Sequence, residues 1–351
     1  MTKLLPILLI GCFKLPGDME AIDTTVVPFN NPYVTAENVV IRGFDTELEC
    51  PNGDMSRFFM VYSEDVAEGA PVAIVLHSGA FDYVMESGEG GPLSGPHYHA
   101  DSRLEAEFST TKVWETLGLQ IDDVDPAEQN MGTLPAALAD RGVVQLLPGN
   151  CWGDLWHNEE GVQYNDINRD GFPRNGRTFA WWMVRLLTEP DFATAQGIEL
   201  PVSLDSSQLY LVGLGDGGRG VAELLTHEGM PAVQGALVDS SPDDLSTYLN
   251  SSIDFEDEIE GISRIFGEEA LGNITDWSFT SDIPLPDRLV YLWSDGDPQL
   301  PANAASAGAA ALSGRPGVWV RNTGVQDHVL SNSNNQLARE VVDYMMDGTR
   351  P

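Results

Sequence analysis

Val72-Ala73-Ile74-Val75-Leu76 is a run of five apolar residues with no polar alternation. A run this short and this uniform suits a strand buried on both faces of a parallel sheet. The same signature returns at Val143 to Leu147, Leu209 to Val212, Gly235 to Val238 and Leu289 to Trp293, with a shorter copy at Val318 to Val320. Between these runs lie helical patterns at Leu134 to Ala139, Thr178 to Leu187, Gly220 to Thr226, Ala302 to Leu312 and Gln336 to Met346. Strands alternating with helices predict an α/β fold, a mostly parallel twisted sheet with helices on both faces. The apolar share of 42% is ample for such a core and argues against global disorder.

Upstream of the first run, Glu47 to Cys50 and Phe58 to Tyr62 flank the turn Pro51-Asn52-Gly53-Asp54 and read as a hairpin. Val39 to Arg42 reads as an edge strand. Residues 12–38, with Pro28 and Pro32 and little periodicity, read as a tether, and 39–351 as one domain. Two stretches interrupt its rhythm, at about 85–131 and 243–278. Long segments in such positions form lids or plain surface elaborations.

At the start, Lys3 precedes the apolar run Leu4 to Ile10, and Leu9-Ile10-Gly11-Cys12 follows. A short apolar region ending in small residues is a secretory signal, here residues 1–11. With cysteine directly after Leu-Ile-Gly, it resembles the lipobox of bacterial lipoproteins. The resemblance implies that Cys12 is lipidated and becomes the mature N-terminus, so that the protein sits in the cell envelope, periplasmic or outward-facing. No later stretch is long and apolar enough to span a bilayer, so membrane attachment would come through the lipid. Lipidation of Cys12 leaves Cys50 and Cys151, an even pair in an oxidising compartment, either as a disulfide or as two separate thiols.

The formal charge is −36, from 54 acidic and 18 basic residues. A surface of this sign repels phosphate backbones, which excludes nucleic acid as a partner. It reads as a heavily solvated exterior, with a cationic partner or bound divalent ions as the sharper alternative.

The chemistry concentrates on Gln208 to Gly220, where a buried strand runs into the glycine-rich turn Gly213-Leu214-Gly215-Asp216-Gly217-Gly218 and then a helix. This is the setting of the G-x-S-x-G nucleophile elbow, in which a strained strand-to-helix turn exposes a serine. Three further motifs accompany it. Leu76-His77-Ser78-Gly79-Ala80-Phe81 follows the first apolar run, and its small residues would let backbone N–H groups approach a developing oxyanion. Trp293-Ser294-Asp295-Gly296-Asp297-Pro298 follows the Leu289 run. Gln326-Asp327-His328-Val329 lies near the end.

These four motifs, in this order, resemble the α/β-hydrolase family, close to its esterase and lipase members, over about Glu47 to Met346. The resemblance implies an α/β-hydrolase fold, an oxyanion hole from the N–H groups of Gly79, Ala80 and Asp216, a triad acid at Asp297 and a triad base at His328. It also places Cys50 and Cys151 at the same end of the sheet, which favours their pairing. The departure from the family is the nucleophile position, which is Gly215. Glycine has no side chain to attack a carbonyl. Removing the serine of a comparable triad lowers kcat by about 10⁶-fold, or about 8 kcal/mol, leaving roughly 10³–10⁴ over water. The expected protein is therefore catalytically impaired and keeps a pocket for an ester-like small molecule or a protein partner. The alternative is a working hydrolase that uses Asp216 as nucleophile, in the manner of relatives with an elbow aspartate, or a water activated by His328 and Asp297. In the first of these the small positions would fall on Leu214 and Gly218. The Gly213/Gly217 frame fits better, and it leaves Asp216 as a favourable charge at the helix start.

No cofactor is required by this reading. Asp166-Ile167-Asn168-Arg169-Asp170-Gly171 matches the first half of a calcium loop, so Asp166, Asn168 and Asp170 are candidate ligands for a structural calcium, but Arg177 stands where the bidentate glutamate belongs. An empty Asx-rich turn is the other reading. His97, His99 and Asp101 have a zinc-like spacing with no completing motif, and a polar loop explains them as well. Trp152, Trp156 and His157 follow a strand and read as either a pocket mouth or an aromatic cluster.

Overall fold

The computed structural model of the chain describes residues 25–28, 38–49, 55–76, 133–148, 181, 183–195, 198–215, 217–243, 279, 283–298, 300, 302–327 and 329–350. Nine strands within them form one sheet: β1 (Thr25–Pro28), β2 (Asn38–Glu49), β3 (Met55–Ser63), β4 (Ala70–Leu76), β5 (Val144–Pro148), β6 (Leu204–Leu214), β7 (Val233–Asp239), β8 (Arg288–Trp293) and β9 (Val318–Asn322). Their order across the sheet is β1-β2-β3-β5-β4-β6-β7-β8-β9. β1, β2, β3 and β5 pair antiparallel, and every pair from β5 through β9 is parallel.

The six apolar runs therefore occupy the parallel part, as their lack of alternation requires. The hairpin is also present, with Glu49 opposite Met55. Two expectations at this end of the sheet are corrected. The Val39 to Arg42 strand is not an edge, because β1 pairs along its outer side, Thr25 opposite Ile41. Residues 25–28 of the stretch read as a tether are thus part of the sheet. Three of these four residues are β-branched, and Pro28, which has no N–H to donate, is tolerated at the end of an edge strand.

Helices α1 (Thr133–Asp140), α2 (Pro190–Ala195), α3 (Gly217–Thr226), α4 (Ala302–Leu312), α5 (Leu330–Ser333) and α6 (Asn335–Asp347) complete the described elements, with a further helical stretch at 183–188. Alternate residues of β6 show the two layers. Tyr210, Val212 and Leu214 face one core with Leu134 and Leu138 of α1 and with Leu337, Val341 and Met345 of α6. Leu209 and Leu211 face the other, with Met183, Val184 and with Val221, Leu224 and Leu225 of α3. Each of these side chains is under a tenth exposed. Full burial of one such side chain stabilises by about 1.5–3 kcal/mol.

α6 has sharp ends. The Asn334 side chain accepts the Leu337 N–H at 3.0 Å, and Gly348, at φ 75°, ends the helix with its N–H on the Tyr344 carbonyl. Such glycine ends are common because no Cβ opposes the left-handed turn. Across the layer, Arg141, just past α1, bonds Asp343 and Asp347 of α6.

The order of strands places the site. β4 and β6 are neighbours, and the connection from β4 runs to β5 on one side while that from β6 runs to β7 on the other, so the crevice beyond their carboxyl ends is where open α/β sheets bind ligands. β4 ends at Leu76 with Gly213 as its partner in β6. The end of β4 therefore lies beside the glycine-rich turn, and His77, Gly79 and Ala80, which follow it in the sequence, lie outside the described residues.

Candidate functional site

At the carboxyl end of β6 the chain turns into α3 through Gly215, whose φ is 56°. Two backbone bonds hold the turn. The Gly215 N–H donates to the Asp239 carbonyl at 2.8 Å, and the Gly215 carbonyl accepts the Gly218 N–H at 3.1 Å. The flanking glycines are required by space. A Cβ on Gly213 would stand 2.5 Å from the Gly218 Cα and 2.6 Å from the Gly217 carbonyl oxygen. A Cβ on Gly218 would meet the Ser241 side chain at 2.5 Å. Strand and helix thus approach as closely as backbone allows, and the residue at the tip, Gly215, takes a conformation that costs other residues roughly 1–2 kcal/mol. Leu214, by contrast, is a full-sized side chain in the core, 2% exposed. The crowding at Gly213 fits the Gly213/Gly217 frame, whereas a frame centred on Asp216 would put its two small positions at Gly218 and at the full-sized Leu214.

β7 ends beside this turn, Leu214 opposite Asp239. Asp239 is fully buried. A buried carboxylate is unfavourable unless hydrogen bonds replace its hydration. Here Oδ1 accepts from Ser240 Oγ at 2.9 Å and Leu330 N at 3.0 Å, and Oδ2 from Ser331 N at 2.8 Å and Ser331 Oγ at 2.5 Å. Asp239 thus joins the end of β7 to the first turn of α5, just after His328 in the chain.

β8 leads into the loop that carries Asp297. There Ser294 Oγ donates to the Val325 carbonyl at 2.6 Å and accepts the Gly296 N–H at 3.1 Å. Asp297, half-buried, accepts the Leu300 N–H at 2.9 Å through Oδ1. The Thr323 N–H donates to the Trp293 carbonyl at 2.9 Å. The loop of the expected acid and the segment approaching the expected base are therefore in contact.

A second buried carboxylate, Asp243, lies just beyond. Its Oδ1 accepts the Phe279 N–H, so it joins the two ends of the 243–278 insertion. Tyr291 Oη donates to the Ala305 carbonyl at 3.1 Å. Burial, reinforced by the Asp243 charge, pushes the Tyr291 hydroxyl well above its ordinary value of 10. Outside this cluster, a polar cleft of about 430 Å³ opens along the same loop, lined among others by Thr323, Asp327, Asn334 and Gln336. Neither Gly215 nor Asp297 lines it, and its Arg321 is paired with Glu340 at 2.6 Å.

Of the expected site residues, Gly215 and Asp297 are placed as above. Gly79, Ala80, Asp216 and His328 lie outside the described residues, as do Cys12, Cys50, Cys151 and the loop with Asp166, Asn168 and Asp170. Among the described residues no cluster of three or more His, Cys, Asp or Glu could hold a metal, and no helix is long and apolar enough to cross a membrane. Asp239, Ser331 and Ser294 were not anticipated. Each sits in an ordinary sequence context, and each has a partner 31 to 92 residues away.

No protein-family model matches the chain, and neither does any curated protein. Solved structures do. The Pyrococcus horikoshii acylaminoacyl peptidase matches with a TM-score of 0.51 and 12% identity over 87% of this chain and 40% of that one. A puromycin-hydrolyzing peptidase of Mycobacterium tuberculosis matches with a TM-score of 0.50 and 13% identity over 87% of this chain and 39% of that one. The chain thus spans about two fifths of the length of these peptidases. Identity this low speaks to architecture alone, and the architecture is the α/β-hydrolase fold.

Proposed function

We propose that the chain is an α/β-hydrolase-fold protein of esterase type that binds an acyl ligand and has lost most or all of its hydrolytic power. The observation that carries this reading is the turn at Gly215. It has the tight strand-to-helix approach and the left-handed tip that a nucleophile elbow needs, and its tip residue has no side chain. Two strands along the sheet from this turn, the loop after β8 carries Asp297, which we read as the acid, and the chain after β9 leads to His328, which we read as the base. The ligand class follows from the inherited oxyanion motif at Gly79, Ala80 and the Asp216 N–H, which suits a carbonyl oxygen. The two solved peptidases are named for amide substrates, so amides belong beside esters in any ligand screen. A protein partner seated over the same pocket is the other occupant. In this reading Cys12 carries the lipid that holds the protein in a bacterial cell envelope, and Cys12→Ser releases it from the membrane fraction.

A second reading rests on the same loops. The Ser294–Val325 bond keeps the Asp297 loop and the approach to His328 together, an arrangement that serves water activation as well as it serves a serine. A working hydrolase of this kind would use His328 and Asp297, with Asp216 as the alternative nucleophile.

Fluorophosphonate labelling and ester hydrolysis by the native protein beside Gly215→Ser separate the two. The first reading expects the native protein to stay unlabelled and Gly215→Ser to label, with turnover raised at least about a thousandfold. Native turnover that is lost in His328→Ala and unaffected by Gly215→Ser would establish the second.

A further inference from the structure

We propose that the buried carboxylate of Asp239 positions the loop that carries His328 against the β6–α3 turn, by holding two strained residues, Ser240 and Val329, in place. This rests on the reading of His328 as the base of the site.

Three observations converge on Asp239. Its carboxylate is fully buried and takes hydrogen bonds from Leu330 N, Ser331 N and Ser331 Oγ, the residues that follow His328 and Val329. Its carbonyl accepts the Gly215 N–H, so the same residue holds the tip of the elbow turn. And the two non-glycine residues with positive φ among the described residues flank this contact on its two sides. Ser240, at φ 55°, follows Asp239, and Val329, at φ 53°, precedes Leu330.

The third observation separates positioning from mere packing. A β-branched residue at positive φ is an outlier, and such strain persists only where the surroundings over-determine it. Glycine would relieve it, and the described residues use glycine at eight other left-handed positions. At 329 the chain keeps valine, and the Asp239 bonds on the next two residues hold it there. Strain of this kind clusters where a backbone has to present a side chain in one direction. The residue next to Val329 is His328.

The test has two arms. In the native protein, the imidazole ¹⁵N resonances of His328, assigned by their loss in His328→Gln, are compared with those of Asp239→Asn. The carboxamide keeps the size of the side chain but presents N–H groups where two acceptor positions were. The expected result is that the His328 resonances shift or broaden while those of the other histidines stay in place. In the Gly215→Ser background, Asp239→Asn is expected to lower kcat roughly a hundredfold with KM nearly unchanged, as a displaced catalytic group does. If Asp239→Asn lowers the unfolding midpoint yet leaves the His328 resonances as they were, Asp239 is a structural cap and the proposal falls. Should Asp239→Asn not fold, Ser331→Ala removes one donor alone and is expected to move the same resonances by less. Unmoved resonances in folded Ser331→Ala overturn the proposal equally. Failure of Gly215→Ser to label or turn over would count against the acyl-site reading only, because the resonance measurement uses the native glycine protein.

Discussion

Three glycines of the β6–α3 turn differ in what holds them, and the difference is measurable. Gly215 is required by its dihedral angle, Gly213 and Gly218 by space. Gly215→Ala should therefore lower stability by about 1–2 kcal/mol, the ordinary cost of a Cβ at positive φ. Gly213→Ala meets backbone atoms that have no rotamer to retreat into. It should cost more, about 3 kcal/mol or beyond, or prevent folding. Urea unfolding of the two variants checks the order. A Gly213→Ala as mild as Gly215→Ala would mean that the turn relaxes and that the tight approach is not what defines the site. The glycine pattern at this turn was legible in the sequence because an elbow is a local feature, with all its requirements inside six residues. Asp239 was not legible. It reads as the polar end of an apolar run, and its partners Leu330 and Ser331 are 91 and 92 positions away. Nothing local marks Val329 as left-handed either, since valine is among the last residues expected there.

The strands of the parallel sheet announce themselves by being apolar on both faces, and all six lie at the expected places. β1 escaped because four residues carry no periodicity, and only the ladder to β2 makes Thr25–Pro28 a strand. At this scale the element with a testable electrostatic role is β8, whose Tyr291 is buried between α4 and the neck of the 243–278 insertion. Its Oη bonds the Ala305 carbonyl, its ring meets Phe279 edge-on at 5.9 Å, and the adjacent Gly308 is in a space that a Cβ could not enter, 2.6 Å from the Asp243 Cγ. In the folded state the hydroxyl titrates well above 10, chiefly through burial. A folded-state value raised above the unfolded one gives stability that is whole below pH 10 and lost as the pH rises further, because only the unfolded chain then releases the proton. Tyr291→Phe should cost about 0.5–1.5 kcal/mol at neutral pH through the lost hydrogen bond. It should also lose less stability than the native protein between roughly pH 10 and 11. Parallel curves for the two proteins across that interval would show that Tyr291 ionises freely and that the neck of the insertion is open to water.

For the molecule as a whole, charge matters most. The 18 basic residues can offset at most 18 of the 54 acidic ones, so 36 negative charges repel each other across a surface that encloses two apolar layers. Self-repulsion of this size opposes the compact state and weakens as salt shortens the screening length from about 30 Å at 0.01 M to about 3 Å at 1 M. The thermal midpoint should therefore climb as sodium chloride is raised through that range, with most of the gain below a few tenths molar. Screening depends on ionic strength and not on which monovalent cation supplies it, so potassium chloride should trace the same curve. Calcium separates screening from binding. At matched ionic strength, millimolar calcium adds little if carboxylates are merely solvated. If Asp166, Asn168 and Asp170 hold the ion, the midpoint rises further and saturates with calcium concentration, as expected for a ligand that binds only the folded state. Asp170→Asn then removes the extra rise and leaves the sodium curve unchanged. A midpoint that falls or stays flat with sodium chloride would mean that the acidic groups are already compensated in the folded chain. The charge would then be a local feature of particular loops, not a property of the whole surface.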